Sequence, residues 1–341
     1  MHLVTGASGM LGSHLAEQLR RRDLPVRCLI RPSTLERGNV YTRFLEQIGC
    51  ELVPGELSDQ ASLTQAAKGC EVVFHSAAKV GDWGPWSEFV EFTVNGTRRV
   101  IEACKQAGVR RLLHISSIST YGHRNGEGQV FDETTSLGYG LYRWAYYSRS
   151  KVMADRILLE EYQKNGFPVT IVRPSWIYGD RDRATVGRMV RALRAGKAKV
   201  IGDGNNRLNL CYAGNIADGA VLAALDPDSV GESYNFADDG HITLSEYWAK
   251  VAEYSGTRPP SRHVPYWLAY RAGFVMECAG RLLRSSKPPL ATRYSCWLMG
   301  RRCFFTSEKA RTRLGWKSTV SYDEGIRRAV SWWLENADQP D

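Results

Sequence analysis

The sequence predicts an α/β fold, a doubly wound parallel sheet followed by a smaller, mostly helical cap. Three observations carry this expectation. Short β-branched runs alternate with helical periods through the first half of the chain. A glycine-rich turn, TGASGMLG, joins the first run to the first helical period. From about residue 180 the rhythm loosens into helical stretches separated by short strands and by turns such as GDGNN and RPPSR.

Taken in order, strands are expected at LVT (3–5), VRCLI (26–30), CELVPG (50–55), EVVFHSAA (71–78), RLLHISS (111–117) and VTIVRPS (169–175). Helical periods cover 10–22, 60–68, 87–107 and 143–165 between them, then 185–196, 213–225, 243–255, 264–284 and 323–336. The expected division is a dinucleotide-binding domain over 1–180, joined by a strand and helix from about 205–235, with 181–341 mainly the substrate-binding cap.

The 341 residues are 43% hydrophobic and 24% charged, ordinary values for a soluble globular protein. The eight cysteines are scattered, with no CxxC pair and no Cys/His cluster of metal-ligand spacing, which suits reduced thiols in the cytoplasm. MHLVTGASG runs straight into a strand and turn, unlike a secretory signal, and no apolar run reaches the roughly 18 residues of a spanning helix. The net charge of +9 is concentrated: residues 258–317 hold thirteen Lys/Arg against Glu277 and Glu308. Such a block suits a membrane surface, an acidic ligand or a solvated face. No nucleic-acid-binding motif accompanies it.

Gly6, Gly9 and Gly12 follow the first strand with GxxGxxG spacing. Glycines there permit a tight turn and close approach of backbone to a pyrophosphate, and the following helix offers N–H donors and a partial positive charge. At the end of the second strand an acid would read a ribose 2′-OH. This chain has Arg31 there, with Ser33 just beyond. A guanidinium can pair with a 2′-phosphate, so NADP(H) is favoured and NAD(H) is the alternative.

The segment YSRSK sets Tyr147 and Lys151 at i and i+4, on one helical face about 5–6 Å apart at Cβ. Ser117 stands at the carboxyl end of the fifth expected strand, where ligands of parallel sheets sit. The set GASGMLG, HSAAKV (75–80), VNGT (94–97), SSISTYG (116–122), YSRSK and RPSWIYG (173–179) resembles, in this order, the extended short-chain dehydrogenase/reductase family, with its Rossmann fold. The resemblance covers nearly the whole chain.

What the resemblance implies is specific. Tyr147 is the acid/base, Lys151 lowers its pKa and holds the nicotinamide ribose, and Ser117 polarises the substrate oxygen. The cofactor lies on Gly6, Ser8, Gly9, Met10, Leu11 and Gly12, with Arg31 at the ribose and Glu56 and Leu57 at the adenine. Glu56 departs from the family's usual Asp at that place. Ala77, Ala78 and Lys79 line the cofactor, Pro174, Ser175 and Ile177 the nicotinamide, and Asn95 holds a structural water. Tyr146 has Ser150 at i+4 and lacks the lysine; Tyr121 reads as a wall of the site.

The loop KVGDWGPW (79–86) offers Trp83 and Trp86 as walls for an apolar substrate, and Ser117 and Ser119 are further candidate substrate residues. Nucleotide-sugar members of the family carry an RDFVYVDD-like segment; here the stretch is RLNLCYAGNIADG, with Arg207 out of register. The expected activity is therefore an NAD(P)-dependent oxidoreductase acting on a secondary alcohol or ketone of a hydrophobic, sterol-like or long-chain 3-keto molecule, as in the 3β-hydroxysteroid dehydrogenase-like branch. A nucleotide-sugar epimerase or dehydratase with tightly bound NAD is the alternative. A non-catalytic cofactor sensor is a third, against which the Tyr/Lys pair argues. By the same resemblance the long helices 87–107 and 143–165 pair into a homodimer. Peripheral membrane contact falls to 258–317.

Overall fold

The structure, a computed structural model, describes residues 1–337. Seven parallel strands form its central sheet: β1 (His2–Thr5), β2 (Val26–Ile30), β3 (Glu51–Pro54), β4 (Val72–His75), β5 (Arg111–Ile115), β6 (Val169–Pro174) and β7 (Ser233–Phe236). Their order is β7-β6-β5-β4-β1-β2-β3, with His2 of β1 in register with Val26 on one side and Val72 on the other. The order reverses between β1 and β4, so the connections leave a crevice at the carboxyl ends of these two strands.

Alternation along each strand divides the apolar side chains between two faces. Val4, Phe74 and Leu113 enter one core with the helices Met10–Arg20 and Ala213–Leu225. Their neighbours Leu3, Val73 and Leu112 enter the other, with the helices Gln60–Ala67 and Gly96–Ala107. Strands covered on both faces need near-continuous apolar runs, and β4 and β5 are buried along their whole length.

A further core gathers Val186, Val190, Leu244, Tyr247, Ile326 and Trp333 from the helices Thr185–Arg194, Leu244–Tyr254 and Tyr322–Asn336, with Tyr178 from the short strand Trp176–Tyr178. The helix Ala213–Leu225 and β7 leave this region and return to the sheet. Among the described residues four α-helices fall outside the predicted set: Pro32–Arg37, Val40–Gln47, Arg293–Gly300 and Glu308–Leu314. All are short. Two are started by capping boxes, from Asn39 and from Thr292.

Buried Asn215 joins the sheet to the last helix. Its amide donates to the Asp238 carboxylate (2.8 Å) and to the Val320 carbonyl (2.9 Å), while its oxygen accepts from the backbone of Thr319 (3.2 Å) and Val320 (3.1 Å). Asn215→Ala would strand several buried groups at once, and we expect a loss of about 2–4 kcal/mol in chemical denaturation. A loss below about 0.5 kcal/mol would remove Asn215 from this role.

Candidate active site

The glycine turn meets the end of β4 so closely that side chains are excluded. Gly6 has a positive φ of 72°, and a Cβ built on it would lie 2.7 Å from the Ala77 nitrogen. A Cβ on Gly12 would lie 2.1 Å from the Gly6 carbonyl oxygen. The helix after the turn has Gly9 at its N-cap, no side-chain cap and no acid in its first turn, so its leading N–H groups remain available to an anion. Ser8, Gly9 and Met10 are partly exposed there, whereas Leu11 and Gly12 are buried. This cradle fits the pyrophosphate of a dinucleotide.

The other predicted contacts ring the same edge. Arg31 is exposed and directly follows β2. Glu56, exposed, and Leu57, half-buried, follow β3, and the Leu57 carbonyl accepts from Arg99 at 3.1 Å. After β4 come half-buried Ala77 and Ala78, then Lys79, whose ammonium pairs with Glu88 at 2.5 Å. Asn95 closes the π-helical turn Val90–Asn95 and donates to Glu91 at 2.9 Å. At the end of β6, Pro174 and Ser175 are buried and Ile177 half-buried; the Ser175 hydroxyl has no hydrogen-bond partner among the described residues.

Tyr147 lies in the first turn of the helix Tyr146–Asn165, with Lys151 one turn on and 3% exposed. The Lys151 ammonium donates to the Ile115 carbonyl at 2.8 Å, tying this helix to the end of β5. Two residues later, Ser117 caps the 3₁₀ turn Ile118–Tyr121 by accepting from the Ser119 nitrogen at 3.1 Å. One turn beyond Lys151, fully buried Asp155 pairs with Arg173 of β6 at 2.9 Å. Burial drives the Lys151 pKa down to about 8, with Asp155 pulling it up. Burial likewise raises the Tyr147 pKa, with the nearby Ser117 hydroxyl opposing it. The lowering expected from Lys151 is absent from this balance, and its ammonium is directed to the Ile115 carbonyl.

A narrow cleft at Tyr147 is lined by Asp82, Trp144, Ala145, Tyr146, Glu277, Arg281 and Tyr294. Tyr294, from the unpredicted helix Arg293–Gly300, packs edge-on against Tyr147 at 6.2 Å between ring centres and lies near buried Ser119. Thr292 at the start of that helix hydrogen-bonds to Asp82. The space left is about 10 Å³, room for roughly one water, so a larger substrate requires this seam to part. Of the tryptophan loop, Asp82 forms part of the lining. Trp83 donates to the Ser285 carbonyl at 2.9 Å, and Trp86 packs at a tilt against Tyr146 at 5.4 Å between ring centres and lies beneath Arg149 at 4.6 Å.

Tyr121, expected as a wall, is fully buried instead. Its hydroxyl donates to Asn235 at 2.7 Å and accepts from Arg173 at 3.1 Å, which belongs to the core beneath the cleft. Arg207 is engaged elsewhere, donating to the Gly240 carbonyl at 2.7 Å and stacked 3.7 Å from the Phe304 ring centre. Among the described residues no cluster of His, Cys, Asp or Glu is arranged to hold a metal, and no helix is long and apolar enough to cross a membrane.

The profile of the NAD dependent epimerase/dehydratase family matches residues 2–237, from β1 through β7. The chain belongs to this family. It is 30% identical to the 2-alkyl-3-oxoalkanoate reductase of Shewanella oneidensis over 95% of this chain and 84% of that protein. It is also 30% identical to the decarboxylating sterol-4-alpha-carboxylate 3-dehydrogenase of Mus musculus, over 96% and 89%. The crystal structure of gox2253 superposes with a TM-score of 0.79 at 28% identity, covering 98% of each chain.

The buried lysine gives this cleft a measurable signature. Lowering the folded-state Lys151 pKa from 10.5 to about 8 means the buried ammonium opposes folding. That penalty is fully present below pH 8, shrinks as pH rises toward 10.5, and then vanishes. Lys151→Met should therefore stabilise the cofactor-free protein by about 3 kcal/mol at pH 7, and by less than half of that near pH 9.5. Equal stabilisation at both values, read by denaturant melts, would contradict a buried charge.

Proposed function

We propose that the chain is an NAD(P)-dependent oxidoreductase interconverting a secondary alcohol and a ketone on a hydrophobic substrate. The observation that carries this reading is the meeting of Tyr147, Lys151 and Ser117 at the end of β5, beside the glycine cradle. A bound nicotinamide supplies or accepts the hydride. Ser117 and Tyr147 hold the substrate oxygen. In the reductive direction the Tyr147 phenol gives its proton to that oxygen as negative charge develops, and in the oxidative direction it takes the proton back. Lys151, which donates to the Ile115 carbonyl in the cofactor-free chain, would hold the nicotinamide ribose and favour the phenolate once a cofactor is bound. Arg31 favours the 2′-phosphate of NADP(H).

The relatives' names describe a carboxylate on the carbon next to the one bearing the reacting oxygen, and this chain carries Arg281 in its cleft wall. A hydrophobic 3-keto or 3-hydroxy acid is the substrate class we favour. The nucleotide-sugar alternative is disfavoured by the engagement of Arg207 with Gly240 and Phe304.

We further read the chain as a homodimer through the segments 87–107 and 143–165, because Phe92 (41% exposed), in the turn Val90–Asn95, and Met153 (38%), in the helix Tyr146–Asn165, lie uncovered on them. Phe92→Glu/Met153→Glu should convert the native species to a monomer in sedimentation velocity; a native monomer ends this part of the reading. The basic 258–317 block is the part of the surface assigned to a membrane, and vesicle binding tests it.

The decisive assay quantifies the cofactor released on denaturation, then follows NADPH oxidation with 2-alkyl-3-keto acids and with plain ketones of matched length. Exchangeable cofactor, preference for the acids and a loss of at least about 10³-fold in Tyr147→Phe are expected. Arg31→Ala should reduce the NADPH-over-NADH preference by about tenfold. Near-stoichiometric, retained NAD would turn the reading to the sugar-nucleotide branch.

A further inference from the structure

The helix Tyr266–Leu282 has two unlike faces. Ala269, Gly273 and Glu277 are buried, at i, i+4 and i+8, and Glu277 ties this helix to the next by accepting from Arg293 at 2.6 Å. On the opposite side Trp267 (60% exposed), Leu268, Phe274, Val275 (64%) and Leu282 (85%) stand in solvent at helical spacing. Leu283 and Leu290 extend the apolar surface past the helix end. Single exposed apolar residues need no explanation, but a continuous stripe along a helix of about 25 Å does.

Charge narrows what can cover it. Arg271, Arg284 and Lys287 are exposed along and beyond the stripe, and none has an ion-pair partner among the described residues. By contrast, the later cations Arg293, Arg302, Lys309 and Arg311 are all paired with acids. A second copy of the chain meeting this face about a two-fold axis would set the same unpaired cations against each other, which is unfavourable. A helical peptide would need a groove, and here the apolar side chains project from a convex helix. A flat, apolar and negatively charged occupant satisfies both observations: it admits the stripe and pairs the cations.

We propose that the outer face of the helix Tyr266–Leu282, with the turn that follows, docks on an anionic lipid bilayer. The same helix contributes Glu277 and Arg281 to the cleft at Tyr147, so docking sets the mouth of the site at the lipid surface. A hydrophobic substrate then passes from bilayer to cleft without crossing water; this consequence rests on the reading of the site given above, whereas the docking itself does not.

Co-sedimentation of the full chain with vesicles of phosphatidylcholine and phosphatidylglycerol tests it without any turnover. The bound fraction should exceed that with pure phosphatidylcholine by about tenfold and fall steeply as salt rises. Val275→Glu/Leu282→Glu, and separately Arg284→Glu/Lys287→Glu, should each lower binding by about tenfold, with melting temperature and NADPH binding unchanged. Absence of binding to anionic vesicles overturns the proposal, as does binding that both variants leave intact. A wild-type oligomer that dissociates in Val275→Glu/Leu282→Glu also overturns it, assigning the stripe to a second copy. Loss of activity on 3-keto acids with vesicle binding retained would instead count against the function proposed for the site.

Discussion

The arrangement around the cleft depends on keeping one cation buried. Lys151 is enclosed between the helix that carries it and the end of β5, and desolvation opposes its charge. Two features oppose that loss: the Ile115 carbonyl accepts from the ammonium, and Asp155 lies one turn below on the same helical face. Asp155 is itself held by Arg173 of β6. Arg173 also donates to the Tyr121 hydroxyl, which donates to Asn235 on β7. The charge at the cleft is thus linked, through Asp155, to a chain of polar groups on β6, on β7 and just past the end of β5. Such a network contributes little net stability, since buried ion pairs rarely repay their desolvation. What it does is tie the helix Tyr146–Asn165 to β6 and, through Tyr121, to β7.

The second constraint is distance of approach. The crevice between β1 and β4 exists because the strand order reverses there, but its depth depends on Gly6 and Gly12. Their missing side chains let the turn sit against Ala77 and let the first helix begin at the sheet edge. The two constraints act on opposite sides of the same edge. One brings a pyrophosphate cradle up to the strands from β1, and the other brings proton chemistry up to them from β5. The spacing between cradle and Tyr147 is then a property of the sheet, whose strand separation hardly varies.

This explains which parts of the fold and site were legible in the sequence. Strands such as VRCLI, and the helices carrying Lys151 and Asn215, follow from period and burial, and their predicted limits agree with the observed ones to within a few residues. The glycine turn and the Tyr147–Lys151 pair are legible because each is local, its geometry set by residues a few positions apart. The rest of the cleft is not local. Asp82, Glu277, Arg281 and Tyr294 come from segments whose meeting depends on tertiary packing, and no spacing announces it. The helix bearing Tyr294 escaped prediction because it is short and its Thr292 cap is answered by Ser295 in place of Glu or Gln. Tyr121 was misjudged for a related reason: a tyrosine after a strand reads alike whether its hydroxyl meets substrate or a buried Asn235.

The cap region shows why a charge count along the sequence is a poor guide to where charge acts. The block 258–317 reads as uniformly basic, yet the fold sorts its cations into two populations. Arg293, Arg302, Lys309 and Arg311 find acids, so their charge is largely neutralised within the molecule. Arg271, Arg284 and Lys287, which no acid pairs among the described residues, accompany a helix whose outer surface is apolar, and that helix is held by a buried glutamate on its inner surface. Glu277 thus fixes which side of the helix can face inward, because turning it outward would leave Arg293 half-buried without its partner. The apolar stripe is exposed as a consequence. Its exposure therefore follows from a specific polar contact, and only an occupant that is both apolar and acidic removes the cost of leaving it uncovered.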